Sequence, residues 1–302
     1  LSLNFYLYHK YKSLEEVKEK VRFTTHTPEA AGNEEHSYQL LEEMSFFYGL
    51  REPEVKRLLH LDGSSLNYTL AALKFAKKAN GVSKMHAEVS RQLWRGNSDI
   101  CEIIAITNAQ NKAYWADRKL QDAIERDDID DILSRKKEMK AELFRKVADQ
   151  TGKLFDVNVL TVVWARRFAG YKRADLLIRD WDRFLKLINN NDYPIQVIWA
   201  GKPYPEDYGA IRIFNEILHR VKHIRNCAVL TGYELELSAL LKKGSDVWLN
   251  NPQLYREASG TSGMTAAMNG SINLSIPDGW MPEFARHYEN SIVIGAAPDT
   301  LA

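Results

Sequence analysis

The sequence lacks most features that mark secreted, membrane or nucleic-acid-binding proteins. Only two of its 302 residues are cysteine, and Cys101 and Cys227 form no C-x-x-C pair. This favours a reducing, cytoplasmic setting over a disulfide framework. Lys and Arg total 41 against 40 Asp and Glu, so charge indicates neither nucleic acid nor an anionic membrane as partner. No apolar run approaches the roughly 20 residues of a membrane span.

The amino terminus also lacks familiar processing signals. Leu1–His9 has no basic start, no small-residue cleavage site and no initiator Met, so we interpret the chain as an internal fragment of a longer protein.

Strands alternating with helices predict an α/β fold in the second part of the chain. Apolar runs at 157–165, 194–200, 227–230 and 246–250 are separated by helical stretches. This order is typical of βαβ units and a parallel sheet. We predict a Rossmann-like domain over 109–302, incomplete at its end, and interpret 1–108 as the mostly helical end of a preceding domain.

Local patterns predict further elements. Helices are expected at 37–48, 68–79 and 172–189, and Asn80-Gly81 reads as a turn. Ligands of parallel sheets bind beyond the carboxyl ends of the strands. The segments that follow the predicted strands are therefore the expected ligand-binding segments.

A cationic segment follows the first strand of the second domain. Trp164–Arg173 contains four cations within eight positions, Arg166, Arg167, Lys172 and Arg173. At a strand end that leads into a helix, such a cluster predicts an anion site, with phosphate as its ligand. A solvated basic helix start is the alternative.

A second segment, Asn250–Met264, combines a carboxylate with small residues. Glu257 precedes Ser259, Gly260 and Thr261, which offer hydroxyls and close backbone approach. Sugar hydroxyls need such acceptors and donors, although Glu257 in a capped helix start would be the structural alternative. His26 lies in another loop, and by itself it would be structural or solvated.

Taken together, these segments resemble the α-glucan (glycogen, starch and maltodextrin) phosphorylases, most closely the shorter bacterial and archaeal branch. The resemblance covers nearly the whole chain, and Glu257–Met264 is its most specific part. The matching strings are Thr24–Pro28, Ala165–Arg173, Ala200–Pro203, Asp246–Pro252, Glu257–Met264, Asn269-Gly270 and Asp278–Trp280.

The resemblance implies a glycosyltransferase-B type fold and phosphorolysis of terminal α-1,4-linked glucose to glucose 1-phosphate with retention. It implies catalytic roles for His26, Arg167 and Lys172. Sugar-binding positions would be Asn108, Tyr171, Glu257, Ser259 and Gly260. Positions that contact pyridoxal phosphate would be Arg166, Tyr233, Thr261 and Thr265. The implied partners are an α-1,4-glucan or maltooligosaccharide, phosphate or glucose 1-phosphate, and a second copy in a homodimer.

The chain departs from the family at one position. The lysine that binds pyridoxal phosphate covalently in the family is replaced by Thr265, which cannot form an imine. Lys202, Lys242 and Lys243 are distant in sequence, and no pattern places them beside Thr265. A working transferase with a loosely held cofactor or none, a homologue that has lost activity, and an engineered change are all compatible with this threonine.

Two alternatives to a phosphorylase follow from the same segments. A nucleotide-sugar glycosyltransferase would use the cationic segment for a diphosphate leaving group. A non-catalytic glucan-binding homologue is favoured by Thr265 alone. We expect the 302-residue chain by itself to be inactive, so release of glucose 1-phosphate from maltodextrin by that chain would contradict this interpretation.

Overall fold

The computed structural model describes residues 1–29 and 32–295, which form two compact units. Unit 1 comprises Leu1–Asn108 and two later segments, Tyr255–Ser259 and Asp278–Glu283. Unit 2 comprises residues 109–254, 260–277 and 284–295. The predicted domain end at residue 302 lies outside the described residues. No helix in the described part of the chain is both long and apolar enough to cross a membrane.

Unit 1 combines six labelled helices with five short strands. In chain order they are α1 (Ser2–Tyr11), α2 (Leu14–Lys20), β1 (Arg22–Thr24), β2 (Glu35–Ser37), α3 (Tyr38–Glu43), α4 (Glu52–Leu59), β3 (Ser65–Asn67), α5 (Tyr68–Phe75), β4 (Lys78–Gly81), α6 (Lys84–Trp94) and β5 (Glu102–Ala105). Strands β1, β4 and β5 form a parallel sheet with β4 in the centre, and β2 pairs antiparallel with β3. The fully buried rings of Phe5, Phe47 and Phe75 pack edge to face in the core.

Three sequence predictions in unit 1 were wrong in part or in full. The helix predicted over 68–79 ends at Phe75, and the predicted Asn80-Gly81 turn is the end of β4. Pairing with β1 and β5 occupies the backbone groups on both sides of β4, which outweighs the local turn preference of Asn-Gly. The helix predicted over 37–48 ends at Glu43, because Ser45 adopts a left-handed φ of 55°.

Unit 2 is built from six parallel strands and eight labelled helices. In chain order they are α7 (Lys112–Trp115), α8 (Arg118–Glu125), α9 (Ile129–Thr151), β6 (Leu160–Ala165), α10 (Leu176–Arg179), α11 (Trp181–Ile188), β7 (Ile195–Ala200), α12 (Tyr208–Val221), β8 (Cys227–Leu230), α13 (Leu235–Gly244), β9 (Val247–Asn250), α14 (Thr261–Ala267), β10 (Ile272–Ser275) and β11 (Ser291–Val293). The strand order is β11-β10-β9-β6-β7-β8, which is doubly wound. This confirms the Rossmann-like parallel sheet and the α/β class predicted from the sequence.

The apolar strands of unit 2 are buried on both faces of the sheet. On β6, Trp164 packs into one core with Trp199 and Phe184. Its two neighbours along the strand, Val163 and Ala165, belong to a second core on the other face of the sheet. That second core contains Val163 and Trp248. Covering both faces explains why these strands are continuous apolar runs rather than alternating patterns.

The helix predicted over 172–189 is interrupted. A 3-10 turn at Gly170–Lys172 ends at Arg173, whose φ is 50°, and two separate helices, α10 and α11, follow. Asp180 caps α11 by accepting the Arg183 N–H at 3.1 Å. The sequence pattern missed this break because the conformation of Arg173 is set by contacts with a distant loop, described next.

Candidate functional site

The strand order of unit 2 reverses between β6 and β9, so the segments that follow these two strands diverge at a topological switch point. Such a point is where open α/β sheets bind ligands. After β6 come Arg166–Arg173, and after β9 come Asn251–Leu254. The cationic segment identified in the sequence therefore starts at the switch point.

Hydrogen bonds join these two segments. Arg173 donates from Nε to the Asn251 carbonyl at 2.8 Å and from Nη2 to the Pro252 carbonyl at 2.6 Å. The Asn251 amide donates back to the Arg173 carbonyl at 3.0 Å, and the Gln253 N–H donates to the Tyr171 carbonyl at 2.7 Å. These hydrogen bonds give Arg173 a structural role at the switch point.

The last two residues of β9 fix the side chain of Arg166. Its side chain is only 8% exposed, and its guanidinium donates to the Asn250 side-chain oxygen and, at 2.8 Å, to the Leu249 carbonyl. Tyr233 lies close to this charge: burial raises the pKa of its hydroxyl, while the Arg166 guanidinium acts in the opposite direction. The Tyr233 hydroxyl donates to the Ala165 carbonyl at 3.3 Å.

The remaining cations extend toward the surface. Arg167 is exposed, and the Lys172 ammonium lies 4.7 Å from the ring centre of Tyr171. Gly201 is the first residue after β7 and has a φ of 146°. A Cβ at this position would lie 1.9 Å from the Arg166 carbonyl oxygen. Only glycine permits this close approach. The site thus places a buried arginine, a tyrosine and two outer cations at one end of the sheet.

Helix α14 carries the remaining predicted residues of unit 2. Gly260 precedes it with φ 86°, and Thr261 is its first residue. Thr265 has no exposed surface, and its hydroxyl is 3.3 Å from the Thr261 carbonyl and 3.0 Å from the Ser262 carbonyl. Its hydroxyl is therefore committed to its own helix.

In unit 1, the predicted residues lie at the carboxyl edge of the three-stranded sheet. His26 follows β1 by two residues and is exposed, and Asn108 follows β5 by three. Between them, after β4, Ser83 donates to the Ala258 carbonyl at 2.7 Å. Because the three strands are parallel, His26 and Asn108 both lie at the carboxyl edge of this sheet. The Ser83 contact places Ala258, which lies between Glu257 and Ser259, at the same edge.

Asp278 organises that segment. It accepts the N–H groups of Arg256 and Glu257, each at 3.0 Å, and that of Gly279 at 2.8 Å. Burial raises its pKa to about 6, the Glu257 carboxylate adds to this, and the three N–H donors oppose it. The Ser259 hydroxyl is buried and has no hydrogen-bond partner among residues 1–29 and 32–295, so it could be satisfied by a ligand hydroxyl.

The sequence profile of the carbohydrate phosphorylases matches residues 57–299. The chain belongs to the carbohydrate phosphorylase family. It is 31% identical to maltodextrin phosphorylase of Thermococcus litoralis over 94% of the chain and 39% of that relative. It is 32% identical to glycogen phosphorylase of Aquifex aeolicus over 90% of the chain and 46% of that relative.

A protein of Methanocaldococcus jannaschii whose function is uncharacterised is 50% identical over 98% of the chain and 56% of that relative. The chain therefore spans about half the length of the phosphorylase-family relatives it matches, or less. Family membership confirms the resemblance read from the motifs, including the glycosyltransferase-B type fold class.

The structure divides the predicted site residues between the two units. Unit 1 contains His26, Asn108, Glu257 and Ser259, and unit 2 contains Arg166, Arg167, Tyr171, Lys172, Tyr233, Gly260, Thr261 and Thr265. Sequence reasoning gave no role to the supporting residues Ser83, Asp278 and Asn251, although the last two lie in strings that carry the resemblance. Each contacts the backbone of a segment that is remote in sequence, so local spacing could not indicate its role.

Members of the phosphorylase family generally use pyridoxal phosphate, and the residues of this chain fit that group in part. The Arg166 guanidinium and the hydroxyls of Tyr233 and Thr261 are of the chemical types that bind a phosphate. The buried hydroxyl of Thr265 does not fit a covalent link, because an imine requires an amine. Any amine must therefore come from outside α14.

Proposed function

We propose that this chain forms part of an α-glucan phosphorylase, which transfers the terminal α-1,4-linked glucose of a maltooligosaccharide to inorganic phosphate. The product is glucose 1-phosphate with retained configuration. The observation that supports this most directly is the position of Arg166, Arg167 and Lys172 at the switch point of the unit 2 sheet.

The unit 2 residues are suited to hold phosphate. Arg167 and Lys172 would hold the substrate phosphate, and the two cations offset its charge. Arg166, Tyr233 and Thr261 would contact pyridoxal phosphate, which when bound supplies a second phosphate group. Stable binding of a dianion matters for catalysis because a glycosyl transition state resembles an oxocarbenium ion, which an adjacent anion stabilises.

The unit 1 residues are suited to bind glucose. Glu257 is an acceptor for sugar hydroxyls, and Asp278 fixes the backbone on which it lies. The buried Ser259 hydroxyl and Asn108 offer further hydrogen bonds. We assign His26 to the sugar 6-hydroxyl and Tyr171 and Gly260 to the remaining sugar contacts. A homodimer also stays a prediction.

The test is phosphate-dependent release of glucose 1-phosphate from maltooligosaccharides by the longest natural protein that contains this chain. Arg167→Ala should raise KM for phosphate about tenfold or more, which corresponds to about 1.4 kcal/mol. Lys186→Ala, at an exposed position of α11, is the matched control and should change nothing. Absence of glucose 1-phosphate under all conditions would overturn the proposal.

The same assay distinguishes the two alternatives. Protection or turnover with UDP- or ADP-glucose, and none with phosphate, would favour a nucleotide-sugar glycosyltransferase. Binding of maltooligosaccharides without turnover would favour a glucan-binding homologue, the interpretation that Thr265 suggests.

A further inference from the structure

Lys242 is a buried lysine on α13. Its side chain is 6% exposed, although lysine is rarely buried unless it is paired. Its Nζ lies 3.6 Å from the ring centre of Trp115, a cation–π contact. Within residues 1–29 and 32–295, no carboxylate lies within ion-pair distance of this amine.

The neighbouring lysines have a different environment. Lys243 forms an ion pair with Asp117 at 3.4 Å. Lys136 donates to the carbonyls of Lys243 and Asn269, each at 2.8 Å. These contacts keep both amines engaged as cations or donors. Among residues 1–29 and 32–295, the contact of the Lys242 amine is the aromatic face of Trp115.

The buried side of α13 leads from the proposed phosphate residues to this amine. Ser238 lies one helical turn before Lys242 and on the same face. Its hydroxyl is 3.4 Å from the Tyr233 hydroxyl, which in turn is close to Arg166. A group whose phosphate is held by Arg166 and Tyr233 would therefore extend along this face toward Lys242.

Trp115 also connects Lys242 to the family's lysine position. The Asn269 amide donates to the Trp115 carbonyl at 3.0 Å and to the Thr265 carbonyl at 2.8 Å. Helices α13 and α14 pack against each other. The amine that α14 lacks is thus present on the adjacent helix, beside the ring of a residue whose backbone carbonyl is bridged to that of Thr265 by Asn269.

We propose that Lys242 takes the place of the missing lysine and binds the aldehyde of pyridoxal phosphate covalently. The neutral Nζ adds to the aldehyde carbon, a C=N bond forms, and the aldehyde oxygen leaves as water. No oxidant or reductant is required. Burial lowers the pKa of Lys242 to about 8, so a useful fraction of the amine is neutral near physiological pH.

This inference rests on the proposed phosphate site, and its test does not depend on enzymatic turnover. The protein is mixed with one equivalent of pyridoxal phosphate, reduced with borohydride and digested, and the modified lysine is located by fragment mass spectrometry. We expect the label mainly on Lys242, with absorbance of the C=N group before reduction.

Three variants sharpen the result. Lys242→Arg keeps a cation beside Trp115 but has no amine that can attack the aldehyde, so this variant should not be labelled. If the arginine variant folds poorly, Lys242→Met serves instead and should also not be labelled. Lys243→Arg is the matched control and should keep the label. A label spread over exposed lysines, or one unaffected by Lys242→Arg, would overturn the inference.

Turnover separates this inference from the proposed function. A label on Lys242 without formation of glucose 1-phosphate would support the covalent link to Lys242 and contradict the proposed phosphorylase activity. Formation of glucose 1-phosphate with no label on Lys242 would support the activity and contradict the covalent link.

Discussion

The carboxylate of Asp278 accepts the backbone N–H of Glu257 at 3.0 Å, so one buried acid positions another acid within unit 1. Because burial raises the pKa of Asp278 to about 6, the folded state binds its proton more tightly than the unfolded state does. Its contribution to stability is complete below about pH 4 and is lost as the pH rises through about 6.

Asp278→Asn should remove this pH dependence. We expect the free energy of unfolding of the unmodified chain to fall by up to about 3 kcal/mol between pH 4 and 7 from this group, at 1.36 kcal/mol per pKa unit. Urea unfolding of both proteins across this range measures the difference. Parallel pH profiles for the two proteins would contradict the assignment.

His86 should produce the opposite dependence. Burial lowers its pKa to about 4, the charge of His26 adds to this, and the Thr27 backbone opposes it. The unfolded state therefore binds the proton first, and stability present above about pH 6.5 is lost as the pH falls through 4, by up to about 3 kcal/mol. His86→Gln should flatten the acid limb of the unfolding profile, and an unchanged acid limb would refute this.

Arg173→Lys tests the connection between the two segments at the switch point. A lysine cannot reproduce the paired donation to the carbonyls of Asn251 and Pro252, so we expect a loss of about 2–3 kcal/mol in urea unfolding. Arg179→Lys is the matched control, since Arg179 forms an exposed pair with Asp175 and should cost less than about 1 kcal/mol. Equal losses of unfolding free energy in the two variants would show that the hydrogen bonds of Arg173 to Asn251 and Pro252 contribute little to stability.

Gly279→Ala tests how closely the segment around Ser259 is packed. A Cβ at Gly279 would lie 2.2 Å from the Ser259 carbonyl, at a φ of 61°. Gly49 has a φ of 88° with open space around it, so Gly49→Ala measures the backbone strain alone, about 1–2 kcal/mol. We expect Gly279→Ala to cost clearly more in thermal unfolding and to weaken maltooligosaccharide binding.

Thr265→Lys should restore an amine on α14. If the phosphate-holding residues of unit 2 are intact, the borohydride label should appear on residue 265, and in the Lys242→Met background it should appear there alone. The bound cofactor should also survive dialysis, because a covalent tether raises its effective concentration. Failure to retain or label the cofactor would mean that more than the amine has been lost.

The sequence was most informative where local and tertiary preferences agree. Strand β8 has the predicted bounds, because buried parallel strands are apolar throughout. It was misleading at Asn80-Gly81, whose turn preference is overridden by neighbours on both sides of β4. It also missed β10 and β11, which are short and lie toward one edge of the sheet.

For the site, motifs indicated the residues that face a ligand but not those that support them. Arg166 was predicted to bind an anion, yet its hold on Asn250 and Leu249 depends on a strand 84 positions later. Lys242 lies in the last turn of α13, and the packing of that helix makes it a buried amine. The spacing of residues within one segment does not reveal contacts between segments that are remote in sequence.

The two short segments that complete unit 1 constrain how the protein can be divided. The chain leaves unit 1 after Asn108 and returns at Tyr255 and again at Asp278. A fragment that stops at Asn108 would lack the Ala258 carbonyl that Ser83 binds and the Glu283 carboxylate that Thr107 binds. Domain exchange with a relative must therefore carry three stretches of coding sequence together, because unit 1 is assembled from all three.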